Sequence, residues 1–88
     1  MTSADQRTTR RVRVLYFAML REQAGCAEET VGTAADTAAE LYDELGKRHR
    51  FALRRADLRV AVNGDLVGWE APLGDGAEVV FLPPFAGG

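Results

Sequence analysis

Alternating hydrophobic and polar positions predict strands along the chain. Residues 11–18 alternate in this way and are rich in β-branched and aromatic side chains, which predicts the first strand. Further strands are predicted at 28–31, at 58–62, from Leu66 onward and at 77–82. The inward positions are expected to be Val12, Val14, Tyr16, Leu58, Val60, Val62, Val79 and Phe81.

One helix is predicted over residues 37–49. Thr37 and Glu40 form a capping-box pattern at its start, and Leu41 and Leu45 then recur at helical spacing. Residues 19–24 are too short for a periodic pattern and lead into an expected turn at Gly25.

The order of these elements predicts the fold class. Two strands, a helix and three strands form an α+β domain in which the helix covers one face of a mixed sheet. The compact solution is a β-grasp, with four to five strands and with the first and last strands as neighbours. We expect a disordered arm at 1–10, the β-grasp domain at 11–82 and an extended tail at 83–88.

The other face of this sheet has no helix to cover it. Alternation directs Leu15, Phe17, Val80 and Leu82 toward that face. If the first and last strands are neighbours, these side chains form a contiguous apolar patch, which usually marks an interaction site. The sequence therefore predicts a surface for a protein partner.

The side chains that commonly carry catalysis are scarce. The 88 residues include one histidine (His49), one cysteine (Cys26) and one lysine. Nothing orients a Cys–His dyad, so a loop thiol and a solvated histidine are expected. The chain offers no clustered metal ligands and no phosphate-binding loop. An enzyme acting on its own is therefore disfavoured.

Cysteine use and hydropathy point to the cytoplasm. A lone cysteine cannot form an intramolecular disulfide, which fits a reducing compartment. No apolar run is long enough to span a membrane, and the polar start does not have the pattern of a secretory signal.

The charges are unevenly placed, although the net charge is only −2. Ten of the eleven cations fall into two blocks, at 7–13 and 47–59, and none follows Arg59. An acidic chain without a continuous basic stripe is a poor candidate for nucleic-acid binding. The acidic C-terminal third instead indicates a protein partner with a basic groove.

The C-terminus is the most informative segment. Pro83 and Pro84 cannot continue a sheet ladder and direct the chain outward in an extended form. Six extended residues reach about 20 Å. Gly87 and Gly88 lack Cβ atoms, so they can pass through a narrow channel and present the terminal carboxylate to a partner. That carboxylate needs activation, most simply as an acyl-adenylate, before sulfur or an amine can capture it.

Three segments resemble the ubiquitin-like sulfur carriers, and among them the small subunits of molybdopterin synthase. Residues 12–18 with 20–22 and Gly25 resemble that family's first strand and short helix. Residues 60–63 with 66–67 resemble its central hairpin, and 73–88 its last strand and Gly-Gly tail. Ala77 stands where an acidic residue is common, and Phe85 where a smaller β-branched residue is common.

The resemblance implies a function and a set of partners. An adenylating enzyme would use ATP and Mg²⁺ to activate Gly88, and a sulfur donor such as a cysteine desulfurase system would convert it to a thiocarboxylate (1-thioglycine). The large subunit of molybdopterin synthase would receive the tail, and the sulfur would attack cyclic pyranopterin monophosphate. The chain itself would be non-catalytic, would bind no cofactor or metal, and would interact with neither nucleic acid nor membrane.

The resemblance also assigns site residues. Gly88 would carry the reactive carboxylate, and Phe17, Arg21, Leu66 and Leu82 would contact the large subunit. The residues expected to insert into that subunit are Pro83, Pro84, Phe85, Ala86, Gly87 and Gly88.

Three alternatives stay open at this point. The chain could carry sulfur for another product, such as thiazole, cysteine or a siderophore thioacid. It could be a ubiquitin-like modifier joined to lysines, or an interaction domain with an incidental tail.

Overall fold

The computed structural model describes residues 9–83, a range that excludes most of the predicted arm and residues 84–88 of the predicted tail. This range contains five strands, two α-helices and one turn of 3-10 helix. In chain order they are β1 (Arg10–Tyr16), α1 (Ala18–Ala24), β2 (Glu28–Thr33), α2 (Ala38–His49), the 3-10 turn (Arg55–Asp57), β3 (Arg59–Val62), β4 (Asp65–Val67) and β5 (Glu78–Leu82).

The five strands form one mixed sheet in the order β2-β1-β5-β3-β4. β1 and β5 run parallel, and every other neighbouring pair in the sheet is antiparallel. The first and last strands are therefore neighbours in the sheet, as the sequence predicts. With α2 packed against one face, this arrangement confirms the predicted β-grasp class.

Helix α2 begins where the capping box predicts. The Thr37 hydroxyl accepts a hydrogen bond from the Glu40 backbone N–H at 3.2 Å, and the Glu40 carboxylate accepts one from the Asp36 N–H at 2.8 Å. Such a cap stabilises a helix by about 1 kcal/mol. The helix face that packs on the sheet is formed by Ala38, Ala39, Leu41, Tyr42 and Leu45.

The sheet residues under α2 follow the predicted alternation. Val12, Val14 and Tyr16 of β1 are buried, as are Val79 and Phe81 of β5. Full burial of an apolar side chain of this size contributes about 1.5–3 kcal/mol, so these positions fix the register of the two central strands.

Two loops hold the strand ends in place. Asn63 and Gly64 both have positive φ (53° and 91°), as a two-residue hairpin turn between β3 and β4 requires. Asn63 exchanges hydrogen bonds with the backbone of Glu78 at 2.8 and 2.9 Å. At the second loop the Arg11 N–H donates to the Asp75 carboxylate at 2.8 Å, and the Gly76 N–H donates to the Arg11 carbonyl at 2.7 Å.

The structure departs from the sequence-based elements at several places. The first strand, predicted over 11–18, runs over Arg10–Tyr16, and the 3-10 turn at Arg55–Asp57 was not predicted. Residues 18–24 form a short helix, α1, which periodicity does not predict, although the family resemblance implies it. β2 extends to Thr33 instead of ending at residue 31, because its pairing with β1 continues as far as Arg10.

Candidate functional site

An apolar band crosses the sheet face opposite α2. The register places Leu15 of β1 beside Val80 of β5. Val80 in turn pairs with Ala61 of β3, and Ala61 pairs with Leu66 of β4. The row therefore runs over four adjacent strands, which confirms the contiguity expected from alternation. The residues of this apolar band are Leu15, Phe17, Ala61, Leu66, Val80 and Leu82.

The two ends of the band are its most exposed parts. Leu66 is 61% exposed and Phe17 is 46% exposed, whereas Leu15, Val80 and Leu82 are half-buried within the sheet. Met19, also 46% exposed, lies two residues beyond Phe17. Contiguous exposed apolar surface of this kind indicates a docking site for a partner.

A sharp turn after β1 separates Phe17 and Met19 from the core. Ala18 has φ 52°, a left-handed conformation that is uncommon for residues other than glycine, and it opens helix α1. Only Leu20 of this helix is buried. Leu20 therefore anchors α1 to the core, and the first residues of the helix stay at the surface.

The tail starts at the edge of the sheet where Phe17 lies. Because β1 and β5 are parallel, they end at the same edge, with Tyr16 beside Phe81 in the register. Phe17 follows the first strand and Pro83 closely follows the second. Pro83 is half-buried, and residues 84–88 lie outside the described range.

The opposite end of this face is polar. The Arg13 guanidinium lies 2.7 Å from the Glu28 carboxylate and 3.6 Å from that of Glu78. These groups are about half-exposed, so each pair contributes little to stability. The apolar part of this face therefore lies in the half of the sheet from which the tail departs.

The structure brings some of the predicted contact residues together. Phe17, Leu66 and Leu82 all belong to the apolar band, and Arg21 is exposed on α1, four residues after Phe17. Of the predicted tail, only Pro83 is described. Pro84, Phe85, Ala86, Gly87 and Gly88 lie outside the described residues.

Sequence reasoning missed three surface residues at this site: Met19, Arg59 and Ala61. Alternation in β3 was available as a signal, since an inward Val60 places Arg59 and Ala61 on the open face. Met19 could not be found in this way, because a two-turn helix with one buried residue has no periodic pattern.

The predicted environment of His49 was wrong. Its side chain is only 14% exposed, and Nε2 lies 2.8 Å from Oε2 of Glu29. The Tyr16 hydroxyl donates to the same carboxylate oxygen at 2.5 Å. Burial tends to raise the pKa of Glu29, but the hydrogen bonds from Tyr16 and His49 outweigh it and hold that pKa below its usual range. His49 therefore helps to fasten α2 to β2.

Cys26 and His49 are not hydrogen-bonded to each other within residues 9–83, where the Nε2 of His49 contacts Glu29 instead. Burial and the neighbouring Glu29 carboxylate raise the pKa of the Cys26 thiol, which disfavours the nucleophilic thiolate.

Residues 9–83 contain neither a cluster of metal ligands nor a membrane-spanning helix. No group of three or more His, Cys, Asp and Glu side chains there could hold a metal ion. None of the helices in the same range is long and apolar enough to cross a membrane.

A groove of about 780 Å³ lies on the helix side of the domain. Phe51 and Trp69 contribute apolar lining to this groove, and Lys47 and Arg54 contribute charged lining. The groove is formed mainly by the end of α2 and the segment after it, and it shares Ala56 and Trp69 with a shallower depression lined by Leu66.

Comparison with known proteins assigns the chain to a family. The ThiS family model matches residues 14–88. The chain belongs to the ThiS family. One relative of this ThiS-family chain is the molybdopterin synthase sulfur carrier subunit of Escherichia coli. It is 38% identical over 80 residues, an alignment that covers 88% of this chain and 99% of the relative.

Solved structures agree with this assignment. A putative molybdopterin converting factor subunit 1 from Pyrococcus furiosus is 34% identical, with a TM-score of 0.72 over 86% of this chain and 99% of the other. A chain from a Helicobacter pylori complex of subunits 1 and 2 of molybdopterin-converting factor is 26% identical. Its TM-score is 0.60, over 89% of this chain and 99% of that one.

Proposed function

We propose that this ThiS-family chain is the sulfur-carrier subunit of a molybdopterin synthase. The observation that carries the proposal is the apolar band, which leads across the sheet to the strand end where the tail begins. A partner that covers the band is positioned to receive that tail. The Helicobacter pylori complex supports this, since a structural relative there assembles with a second subunit.

Chemistry at the C-terminus requires another enzyme first. A carboxylate is a poor electrophile, so an adenylating enzyme would use ATP and Mg²⁺ to form an acyl-adenylate on Gly88, with release of pyrophosphate. Sulfide would then attack the acyl carbon and displace AMP. Where the sulfur comes from the persulfide of a cysteine desulfurase, the persulfide would attack instead, and a thiol reductant would cleave the resulting acyl disulfide. The result is a thiocarboxylate at Gly88, in which sulfur has replaced one oxygen.

The thiocarboxylate would then react in the active site of the large subunit. Its ionised sulfur is a far better nucleophile than the carboxylate oxygen it replaces, in keeping with thiolate chemistry in general. In the large-subunit active site it would attack cyclic pyranopterin monophosphate, and two such transfers would build the dithiolene of molybdopterin. The small chain supplies the docking surface and the sulfur, and the large subunit supplies the catalytic side chains.

Intact-mass spectrometry tests the loading step. The full chain is incubated with the adenylating enzyme, ATP, Mg²⁺ and sulfide, and the expected product is heavier by one oxygen-to-sulfur exchange. A matched chain with one alanine added after Gly88 should gain no sulfur. Failure of the unmodified chain to gain sulfur would reject the proposal.

A further inference from the structure

Arg59 places a positive charge at the edge of the apolar band. It pairs with Leu82 in the register of β3 and β5, and the buried Val60 beside it in sequence directs Arg59 to the open face. Arg59 and Leu66 also line one shallow depression of about 460 Å³ at the β3–β4 edge. Arg59 therefore lies next to apolar residues of the band, and its register partner Leu82 directly precedes Pro83.

The Arg59 side chain has no anionic partner within residues 9–83. It makes no ion pair or hydrogen bond there, and it is exposed to solvent. Three other arginines of the same basic block are paired with carboxylates: Arg48 with Glu44, Arg54 with Asp57 and Arg55 with Asp43. These three lie on or just after α2. Arg59 thus differs from them in its position as well as in its lack of a partner.

A partner that covers the apolar band must also compensate the positive charge of Arg59. Covering the band removes water from the guanidinium, and a desolvated charge without a counter-ion opposes association strongly. A carboxylate on the partner removes that obstacle, because an arginine can hold it through two parallel N–H···O bonds.

We propose that Arg59 is a specificity-determining residue that pairs with a carboxylate of the large subunit, at the edge of that subunit's apolar docking surface. The proposal rests on the sulfur-carrier function and adds the chemistry of the partner surface. Apolar contact alone would accept many surfaces. A required carboxylate opposite Arg59 restricts docking to partners with matching charge and fixes the register in which the tail is presented.

Titration calorimetry with the large subunit tests this on the full chain. Arg59→Leu leaves the partner's carboxylate uncompensated and should weaken binding by about tenfold or more, and Arg59→Glu should weaken it further. Arg59→Lys keeps the charge but cannot form the two parallel N–H···O bonds, so it should recover only part of the affinity, between that of Arg59→Leu and wild type. Lys47→Glu makes the same change of charge as Arg59→Glu on the helix side and should stay within about twofold of wild type.

The outcomes separate this proposal from the proposed function. Because Arg59 is exposed, the variants should melt at the wild-type temperature, which excludes misfolding as the cause of weak binding. If the wild-type chain binds and Arg59→Leu binds as tightly or more tightly, the carboxylate contact is refuted while the sulfur-carrier function stands. If the wild-type chain does not bind the large subunit at all, both are refuted.

Discussion

His49 at the end of α2 and Glu29 on β2 are joined across the domain by a 2.8 Å contact between Nε2 and Oε2. The Glu29 side chain is 23% exposed, and the same oxygen accepts the hydroxyl of the buried Tyr16. One carboxylate thus connects the end of the main helix to two strands of the sheet.

Removal of this carboxylate should destabilise the fold. Glu29→Ala leaves the Tyr16 hydroxyl without its acceptor in a buried setting, at a cost of about 1–3 kcal/mol in the free energy of unfolding. Glu28→Ala is the matched control, because Glu28 is the half-exposed partner of Arg13 and should cost less than about 1 kcal/mol. Urea denaturation of both variants measures the difference, and equal losses would contradict the role assigned to Glu29.

The same carboxylate should make stability sensitive to acid. Since the folded-state pKa of Glu29 lies below its unfolded value, its contribution is fully present above the usual glutamate pKa of about 4.3 and is lost as the pH falls through the folded pKa. Glu29→Gln cannot ionise, so its stability deficit should shrink as the pH falls from 6 toward about 3. Denaturation curves over that range check this, and a constant deficit would argue against it.

A substitution after α2 should stabilise the protein. Arg50 closes the helix with φ 60° and ψ 50°, a left-handed conformation that glycine adopts without a Cβ penalty. Arg50→Gly should therefore raise the free energy of unfolding by about 0.5–1 kcal/mol. Arg48→Gly, inside the same helix, should lower it by about 1 kcal/mol. Thermal melts of both variants should shift in opposite directions, and a lower melting temperature for Arg50→Gly would contradict the prediction.

The exposed ends of the apolar band should matter for binding more than for folding. Phe17→Ala and Leu66→Ala remove apolar contact area that a partner would bury, and each should weaken large-subunit binding by about tenfold. Leu66→Ala should change the free energy of unfolding by no more than about 0.5 kcal/mol, because that side chain is mostly exposed. Pull-down titrations with the large subunit measure the loss, and unchanged affinity in both variants would exclude the band as the docking surface.

The last residue should tolerate no side chain. Gly88→Ala adds a Cβ at the reacting end, where a channel that admits glycine would exclude it, so sulfur transfer should be abolished. Its circular dichroism spectrum and melting temperature should match the wild type. Transfer at the normal rate by this variant would argue against a narrow channel.

The strands and the main helix could be predicted from local sequence patterns, because the pattern typical of each element is formed by residues close together in the chain. Val12, Val14 and Tyr16 alternate because the sheet buries one face, and Thr37 caps α2 through its own hydroxyl. Helix α1 has only two turns and buries one residue, Leu20, so no period could reveal it. The family resemblance supplied that element, while periodicity alone did not.

The wrong prediction for His49 shows a second limit of reading burial from the sequence. His49 stands among cations in the sequence, which favoured a solvated side chain. Yet it follows Leu41 and Leu45 at four-residue spacing, so it continues the buried face of α2. Its partner Glu29 is twenty residues away in the chain, and only the packing of α2 against β2 brings the two together.

In the proposed function, the C-terminal carboxylate of this chain carries the sulfur that becomes part of molybdopterin. Thiocarboxylated chain is mixed with the large subunit and cyclic pyranopterin monophosphate, and both the intact mass of the chain and the dithiolene product are followed over time. We expect the chain to return to its carboxylate mass as product forms, with two chains consumed for each dithiolene. Product formation while the chain keeps its sulfur, or loss of sulfur without product, would contradict the claim.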